Sequence, residues 1–178
     1  MSITVEGVDR PIIIGETNLP DGTVVMVTLS RTADGYAEQD ITSVQNGGFR
    51  AGPFEQHGRP LSQGLYDIQV MVPVSWMQPQ HVQAVIGRDG ERLEGPFVRQ
   101  SDFLRARVIE YHQDLPIGDP FAAEWDRANR AAEQKKRDGW LRENYCRSAC
   151  DRAQSESEAM YRWFDWQACY QQCLNGEP

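Results

Sequence analysis

The 178-residue chain has a net charge of −8: residues 1–116 hold 9 basic and 15 acidic groups (−6), and residues 117–178 hold 9 and 11 (−2). Since neither part is basic, a surface that follows a phosphate backbone is excluded as the main role, and we expect no nucleic-acid partner. Apolar residues make up 40% of the chain, a normal globular share. No run approaches the roughly eighteen apolar residues of a membrane span, so none is expected.

Residues 1–114 show the alternation and the turn residues of short β-strands. The segment 23–30 is rich in β-branched residues and places alternate apolar side chains on one face. Asn46-Gly47 is a strong signal for a β-hairpin, because both turn positions need positive φ. Further strands are predicted at 12–14, 35–44, 65–74 and 103–111, and a helical turn at 78–87. Six or seven short strands favour an antiparallel, Ig-like β-sandwich.

A short motif in this region resembles transthyretin-like and carboxypeptidase-regulatory-like sandwiches. It consists of Gly48-Phe49 followed by the segment 61–70 (LSQGLYDIQV), in which Gly64 and Tyr66 occupy the motif positions. The resemblance implies that Gly64 turns the chain into a strand, that Tyr66 packs inside the sandwich, and that the domain has no catalytic residue.

A change of composition follows the strands. Residues 115–120 contain two prolines and a glycine and are predicted to form a linker. Asp119 is the expected N-cap of a helix, with Pro120 at its first position. The remainder, 121–178, is predicted to form a helical hairpin, so that the whole chain belongs to the α+β class.

Two helices are predicted in this hairpin. The first runs from 121 to about 153 and contains Gly139, which predicts either a kink or a close approach to another backbone. Ser155 and Glu158 match a capping box and are expected to start the second helix. Gly176 is expected to end it.

The four cysteines form two identically spaced pairs. Cys146 and Cys150, like Cys169 and Cys173, are four residues apart and therefore share one helix face. In two antiparallel helices this register pairs Cys146 with Cys173 and Cys150 with Cys169. The main prediction is thus two structural disulfides. A four-thiolate zinc site and a redox-active pair are the alternatives, and no cofactor is predicted.

The paired C-x₃-C spacing resembles the twin CX₃C motif of mitochondrial intermembrane-space chaperones and of plant hairpin peptides. The resemblance covers about residues 140–176. It implies a stapled helical hairpin. The match does not extend to the strand region, which has no counterpart in those free-standing families.

Aromatic residues are concentrated within ten residues of the predicted second helix. Two interpretations are open: the rings pack on the first helix and on the sandwich, or they form an exposed patch that binds a protein partner. The candidate partner-binding residues are Tyr161, Trp163, Phe164, Trp166 and Tyr170.

Disulfides indicate an oxidising compartment, and a low lysine share, with Lys135 and Lys136 against sixteen arginines, indicates a GC-rich bacterial genome. The first residues lack the basic and apolar regions of a secretion signal. We therefore expect a periplasmic or secreted protein whose leader is missing from the sequence, or alternatively a cytoplasmic protein with reduced thiols. The predicted function is non-enzymatic: an exported accessory or protein-binding protein of undefined role. An inhibitor or immunity-type protein and a zinc-binding protein are the alternatives.

Overall fold

The computed structural model describes residues 1–101, 105–160 and 162–176. Within these residues the chain is α+β, with two antiparallel sheets followed by a long helix and a short one. The strands are β1 (Ser2–Glu6), β2 (Ile12–Glu16), β3 (Val24–Arg31), β4 (Tyr36–Ser43), β5 (Gly48–Ala51), β6 (Gly64–Val72), β7 (Val98–Gln100) and β8 (Arg107–Ile117). The helices are α1 (Gln80–Ile86), α2 (Pro120–Ala159) and α3 (Trp166–Asn175), and a 3₁₀ turn spans Ser75–Met77.

The strands form a three-stranded sheet, β1-β2-β5, and a five-stranded sheet, β4-β3-β6-β8-β7. Alternate side chains of the two central strands are buried, as their sequence pattern predicts: Val25, Val27 and Leu29 on β3, and Tyr66, Ile68, Val70 and Val72 on β6. Residues of the smaller sheet, such as Ile13 and Phe49, belong to the same hydrophobic core. Both sheets therefore share one core.

Several predicted local features are present. Asn46 and Gly47 have the positive φ values, 52° and 76°, of the predicted hairpin turn. The strands on its two sides do not continue as a ladder: an isolated bridge joins Gln45 to Gly48, and β5 then belongs to the other sheet. The helical turn predicted at 78–87 is α1, which Gly87 ends. Asp119 caps α2, since its Oδ1 accepts a hydrogen bond from the Phe121 amide at 2.9 Å.

The linker predicted at 115–120 is wrong for residues 115–117, which belong to a strand. β8 continues through Ile117 and pairs with the start of β6, so that Pro116 lies opposite Leu65. β7 pairs with β8 only at residues 107–109. Among the described residues no strand flanks Pro116 on the side away from β6, and a strand tolerates proline where no partner needs its amide. Of the strand predicted at 103–111, positions 103 and 104 lie outside the described residues.

The predicted start of the second helix is also wrong. Ser155 lies inside α2, where its hydroxyl donates to the Asp151 carbonyl at 3.0 Å instead of capping a new helix. No proline or glycine interrupts 140–159, so α2 continues to Ala159. Among the described residues, no atom outside the helix's own backbone lies within 4 Å of the position that a Cβ on Gly139 would occupy, which contradicts the predicted close approach.

The chain divides into two compact units, residues 1–127 and 128–178. The first unit contains both sheets, α1 and the first two turns of α2. Its most buried charged contact ties those turns to the larger sheet: Asp126 Oδ2 accepts from Arg31 Nε at 2.8 Å and from the Leu65 amide at 2.9 Å. A Cβ on Gly64 would lie 2.3 Å from the same carboxylate oxygen, so this contact requires glycine there.

We predict that Asp126→Ala lowers the free energy of unfolding of the first unit by about 2 kcal/mol, because the Leu65 amide and the Arg31 guanidinium both lose a buried acceptor. Denaturant unfolding of the oxidised chain measures this loss. Glu6→Ala is the matched control: it removes an ion pair to Arg50 at 3.1 Å between exposed side chains, and we expect a loss below about 1 kcal/mol. Equal effects of the two variants would contradict the role given to Asp126.

Candidate protein-binding surface

The second unit is held together by two disulfides. Cys146 is bonded to Cys173 and Cys150 to Cys169, with Cα–Cα distances of 5.6 and 6.0 Å, which lie in the normal range for a disulfide. The predicted pairing is confirmed. In this oxidised form the four sulfur atoms offer no thiolate to a zinc ion.

Helix α3 has clear signals at both ends. Asp165 is its N-cap, because Oδ1 accepts from the Ala168 amide at 2.9 Å. Gly176 follows its last residue in the left-handed conformation, and its amide donates to the Cys173 carbonyl at 3.1 Å. The end predicted at Gly176 is confirmed, whereas the start at Trp166 lies eleven residues beyond Ser155. Since a ten-residue helix is marginal in water by itself, α3 depends on its bridges to α2.

Apart from two bridged cysteines, the described residues of the second unit include no fully buried side chain. Among residues 128–160 and 162–176, Cys146 and Cys150 are the only buried side chains. Large apolar side chains of the same unit are exposed: Trp140, Leu141, Tyr145, Met160 and Trp163. We call these five residues the exposed apolar set. The covalent bonds thus replace a hydrophobic core, and the apolar side chains remain available for contact with another molecule.

The candidate aromatic residues do not share one environment. Trp163 is 87% exposed, and Phe164 is half-buried. Both lie in the connection 162–165, not in the second helix as predicted. Trp166 and Tyr170 lie on α3 and are half-buried. Tyr161 lies outside the described residues.

Trp166 connects α3 to α2. Its indole Nε1 donates to Asp151 Oδ1 at 2.8 Å, and its ring stacks on that of Tyr170, with 5.0 Å between centroids and 18° between planes. An amphipathic ring that also satisfies its N–H is typical of a structural contact. Trp166 and Tyr170 therefore support the bridged pair, whereas Trp163 presents its ring to solvent.

Four members of the exposed apolar set, Trp140, Leu141, Tyr145 and Met160, were not among the candidates derived from the sequence. Leu141 and Tyr145 are four residues apart and therefore neighbours on α2, and Trp140 adjoins them in sequence. The sequence contained a signal for the Leu141–Tyr145 pair, because an apolar i, i+4 pair on a helix face away from the cysteines has no predicted partner within the hairpin. The concentration of aromatic residues at 161–170 drew the prediction to the other part of the unit.

The first unit holds a separate cluster of titratable groups on the five-stranded sheet. His112 on β8 contacts Asp67 through Nδ1 at 3.1 Å and Glu110 through Nε2 at 3.2 Å. Partial burial lowers the pKa of His112, but the hydrogen bonds to the two carboxylates outweigh this effect, so the pKa lies above its ordinary value. Hydrogen bonding to His112 in turn lowers the pKa of Glu110. Among the described residues, no group of three or more His, Cys, Asp or Glu side chains is arranged so that it could hold a metal ion.

The first unit also contains an open cleft of about 1340 Å³. It lies where the ends of β2, β4 and β5 meet the segment before β7, and both polar and apolar residues line it, among them Glu16, Arg50, Glu94 and Phe97. Arg50 is already paired with Glu6 at 3.1 Å. The cleft has no arrangement of groups that points to one reaction.

Comparisons with protein-family models, with curated proteins and with solved structures gave no match to this chain. In the part of the chain that the structure describes, no helix combines the length and the apolar composition needed to cross a bilayer. The two disulfides are typical of an oxidising environment. The candidate site therefore rests on the chain's own residues.

We predict that reduction of the two disulfides unfolds α3 and leaves the sheets intact. The bridges Cys146–Cys173 and Cys150–Cys169 join residues 27 and 19 positions apart. A disulfide that closes a loop of this length adds about 3 kcal/mol to the free energy of unfolding. The described residues of the unit have no hydrophobic core that could take over this stabilisation. Hydrogen exchange of the full chain, with and without a phosphine reductant, measures this. Amides of β6 are the internal control, because residues 1–127 contain no cysteine. Protected α3 amides after complete reduction would refute the prediction.

Two tryptophans form a matched pair for mutation. Trp166→Ala removes the hydrogen bond to Asp151 and the stacking on Tyr170, and we expect it to destabilise the bridged helices by about 2 kcal/mol. Trp163→Ala removes an exposed ring, so we expect a change within about 0.5 kcal/mol. Helix melting followed by circular dichroism distinguishes the two variants. A larger loss for Trp163→Ala would show that the assignment of the two rings is reversed.

The His112 cluster predicts a pH dependence of stability. Because the pKa is higher in the folded chain than in the unfolded one, this group's stabilisation is complete below the unfolded pKa, about 6.5, and is lost as pH rises through the folded value. NMR titration of the His112 ring is expected to give a midpoint above 6.5, which Asp67→Asn lowers. A midpoint that this substitution leaves unchanged would argue against the contact.

Proposed function

We propose that this chain is a non-enzymatic, protein-binding accessory protein of an oxidising compartment, the periplasm or the exterior of a bacterial cell. One observation carries the proposal: among its described residues, the second unit fully buries no side chain besides two bridged cysteines, yet it exposes five large apolar side chains. Such residues cost solubility when exposed without a partner, and Trp and Tyr are the residues that dominate protein interfaces. Trp163, which lies beside the capped start of α3, is at 87% the most exposed of the five and is the proposed main contact.

The architecture proposed with this function has two parts. The shared core of the two sheets supports an Ig-like or transthyretin-like sandwich, and the two bridges support an antiparallel hairpin of the twin CX₃C kind. In this proposal the sheets form a stable platform, and the bridged helices present the apolar surface.

Site-specific photo-cross-linking in the organism that encodes the chain tests the binding role. A photoreactive phenylalanine analogue replaces Trp163 in one variant and Glu133 in the control; both side chains are exposed and both lie in the second unit. We expect one discrete covalent adduct from position 163 and none from position 133. Adducts of equal yield from both positions, or none from position 163, would overturn the proposal.

The compartment is tested separately by trapping thiols with a maleimide reagent before cell lysis. An oxidising compartment leaves all four cysteines unmodified until a reductant is added, whereas a reducing cytoplasm lets all four react. Modification of all four cysteines in intact cells would place the chain in a reducing compartment and contradict export.

A further inference from the structure

Strand β4 has a long edge that no other strand covers. It pairs with β3 through all eight of its residues, but it is the outermost strand of its sheet, so its other side has no strand partner among the described residues. The other edge strands are shorter: β1 has five residues, β5 four and β7 three. Native proteins usually shorten or cover an open edge, because its free N–H and C=O groups are a template for another strand.

The course of the chain after β4 explains why this edge stays open. A single bridge between Gln45 and Gly48 closes the turn, after which β5 joins the other sheet instead of continuing the ladder. The segment after β5 then returns beside β4, where carboxylate side chains hold it. Asp40 Oδ2 accepts from the Gly52 amide at 2.8 Å, and Glu38 Oε2 accepts from the Glu55 amide at 3.0 Å. These contacts occupy β4 side chains, not its backbone.

A cavity lies at each end of this edge. A pocket of about 420 Å³ at the beginning of β4 is lined by Asp34, Tyr36, Glu38, Glu55 and His57. The cleft of about 1340 Å³ reaches the other end, at Thr42 and Ser43. An extended segment along the edge therefore has room for side chains at both of its ends.

The negative charge along the edge of β4 indicates which kind of strand can bind there. The carboxylates of Glu38 and Asp40 receive hydrogen bonds from neutral donors, and no Lys, Arg or His of the described residues forms an ion pair with them. Two copies of β4 side by side would bring these like charges together, which disfavours self-pairing. On the alternate positions Ile41 is exposed. The edge thus suits a strand that alternates basic and apolar residues.

We propose that the free edge of β4 binds a basic, extended peptide segment of a partner protein by strand addition. Backbone hydrogen bonds supply much of the affinity, and the carboxylates of Glu38 and Asp40 select basic side chains. The edge of β4 belongs to the first unit, whereas the exposed apolar set belongs to the second. The proposed strand addition can therefore fail without affecting the proposed function, and the reverse is also true.

The test uses the full, oxidised chain and a synthetic probe, acetyl-(Lys-Val)₄-amide. We expect NMR shift changes of backbone amides concentrated at residues 36–43. The same peptide with alternate amides N-methylated keeps its charge but loses hydrogen-bond donors, and we expect it to bind at least about tenfold more weakly. Equal binding of the N-methylated peptide, or shift changes elsewhere in the chain, would overturn strand addition.

The charge requirement is tested on the protein side. The double variant Glu38→Gln/Asp40→Asn keeps an acceptor oxygen for each of the Gly52 and Glu55 amides, so we expect it to fold normally and to bind the probe about five- to tenfold more weakly at low salt. Unchanged affinity would refute the charge selection, as would equal binding of acetyl-(Glu-Val)₄-amide. Association of the chain with itself through β4, detected by sedimentation, would replace the peptide with a second copy and overturn the proposal.

Discussion

The disulfides Cys146–Cys173 and Cys150–Cys169 are the constraint on which the second unit depends. In most domains of this size, burial of apolar side chains offsets the entropy lost on folding. Here the described residues of the unit bury only two bridged cysteine side chains. Covalent closure limits the unfolded chain instead, which is the usual solution for units too small to build a core. The five residues of the exposed apolar set are consequently not needed inside and remain on the surface.

The first unit is organised in the opposite way. Its two sheets share a continuous core of β-branched and aromatic residues, and its charged groups are placed around that core. Among the described residues the carboxylate of Asp126 is the exception, since it is buried and anchors the first turns of α2 through Arg31 and the Leu65 amide. The same long helix therefore begins in a unit stabilised by burial and ends in one stabilised by covalent bonds.

Short-range patterns in the sequence predicted much of this structure. Alternation predicted the buried faces of β3 and β6, the Asn46-Gly47 pair predicted its turn, and the spacing of the cysteines predicted the bridges. Each of these signals depends on residues that are close in sequence or on a fixed helical period. The end of α3 at Gly176 followed from the same kind of reasoning.

The failures arose where local signals compete or where contacts are long-range. Ser155 has the residues of a capping box, but the helix around it has no breaker, so its hydroxyl bonds back to Asp151. Pro116 looked like the end of a sheet, yet it lies where β8 lacks a second neighbour. The contact between Asp126 and Arg31 joins residues 95 positions apart, and no periodicity in the sequence encodes such a pairing.

The candidate protein-binding surface illustrates both sources of failure, competing local signals and long-range contacts. Trp166 and Trp163 are three residues apart and chemically identical, yet one ring contacts α2 and the other faces solvent. Their separate roles depend on where α3 begins, and that position is determined by the Asp165 cap. The ten-residue difference between the predicted N-cap, Ser155, and the observed one, Asp165, was enough to assign both rings to the same helix.

The most direct test of this account is disulfide mapping of the chain isolated from its own cells, with thiols blocked at lysis and the protein digested without reduction. The account predicts two cross-linked peptides, one joining Cys146 to Cys173 and the other Cys150 to Cys169. Free thiols at these positions, or a bond between Cys146 and Cys150, would contradict it, because α3 would then have neither a core nor a covalent link to hold it.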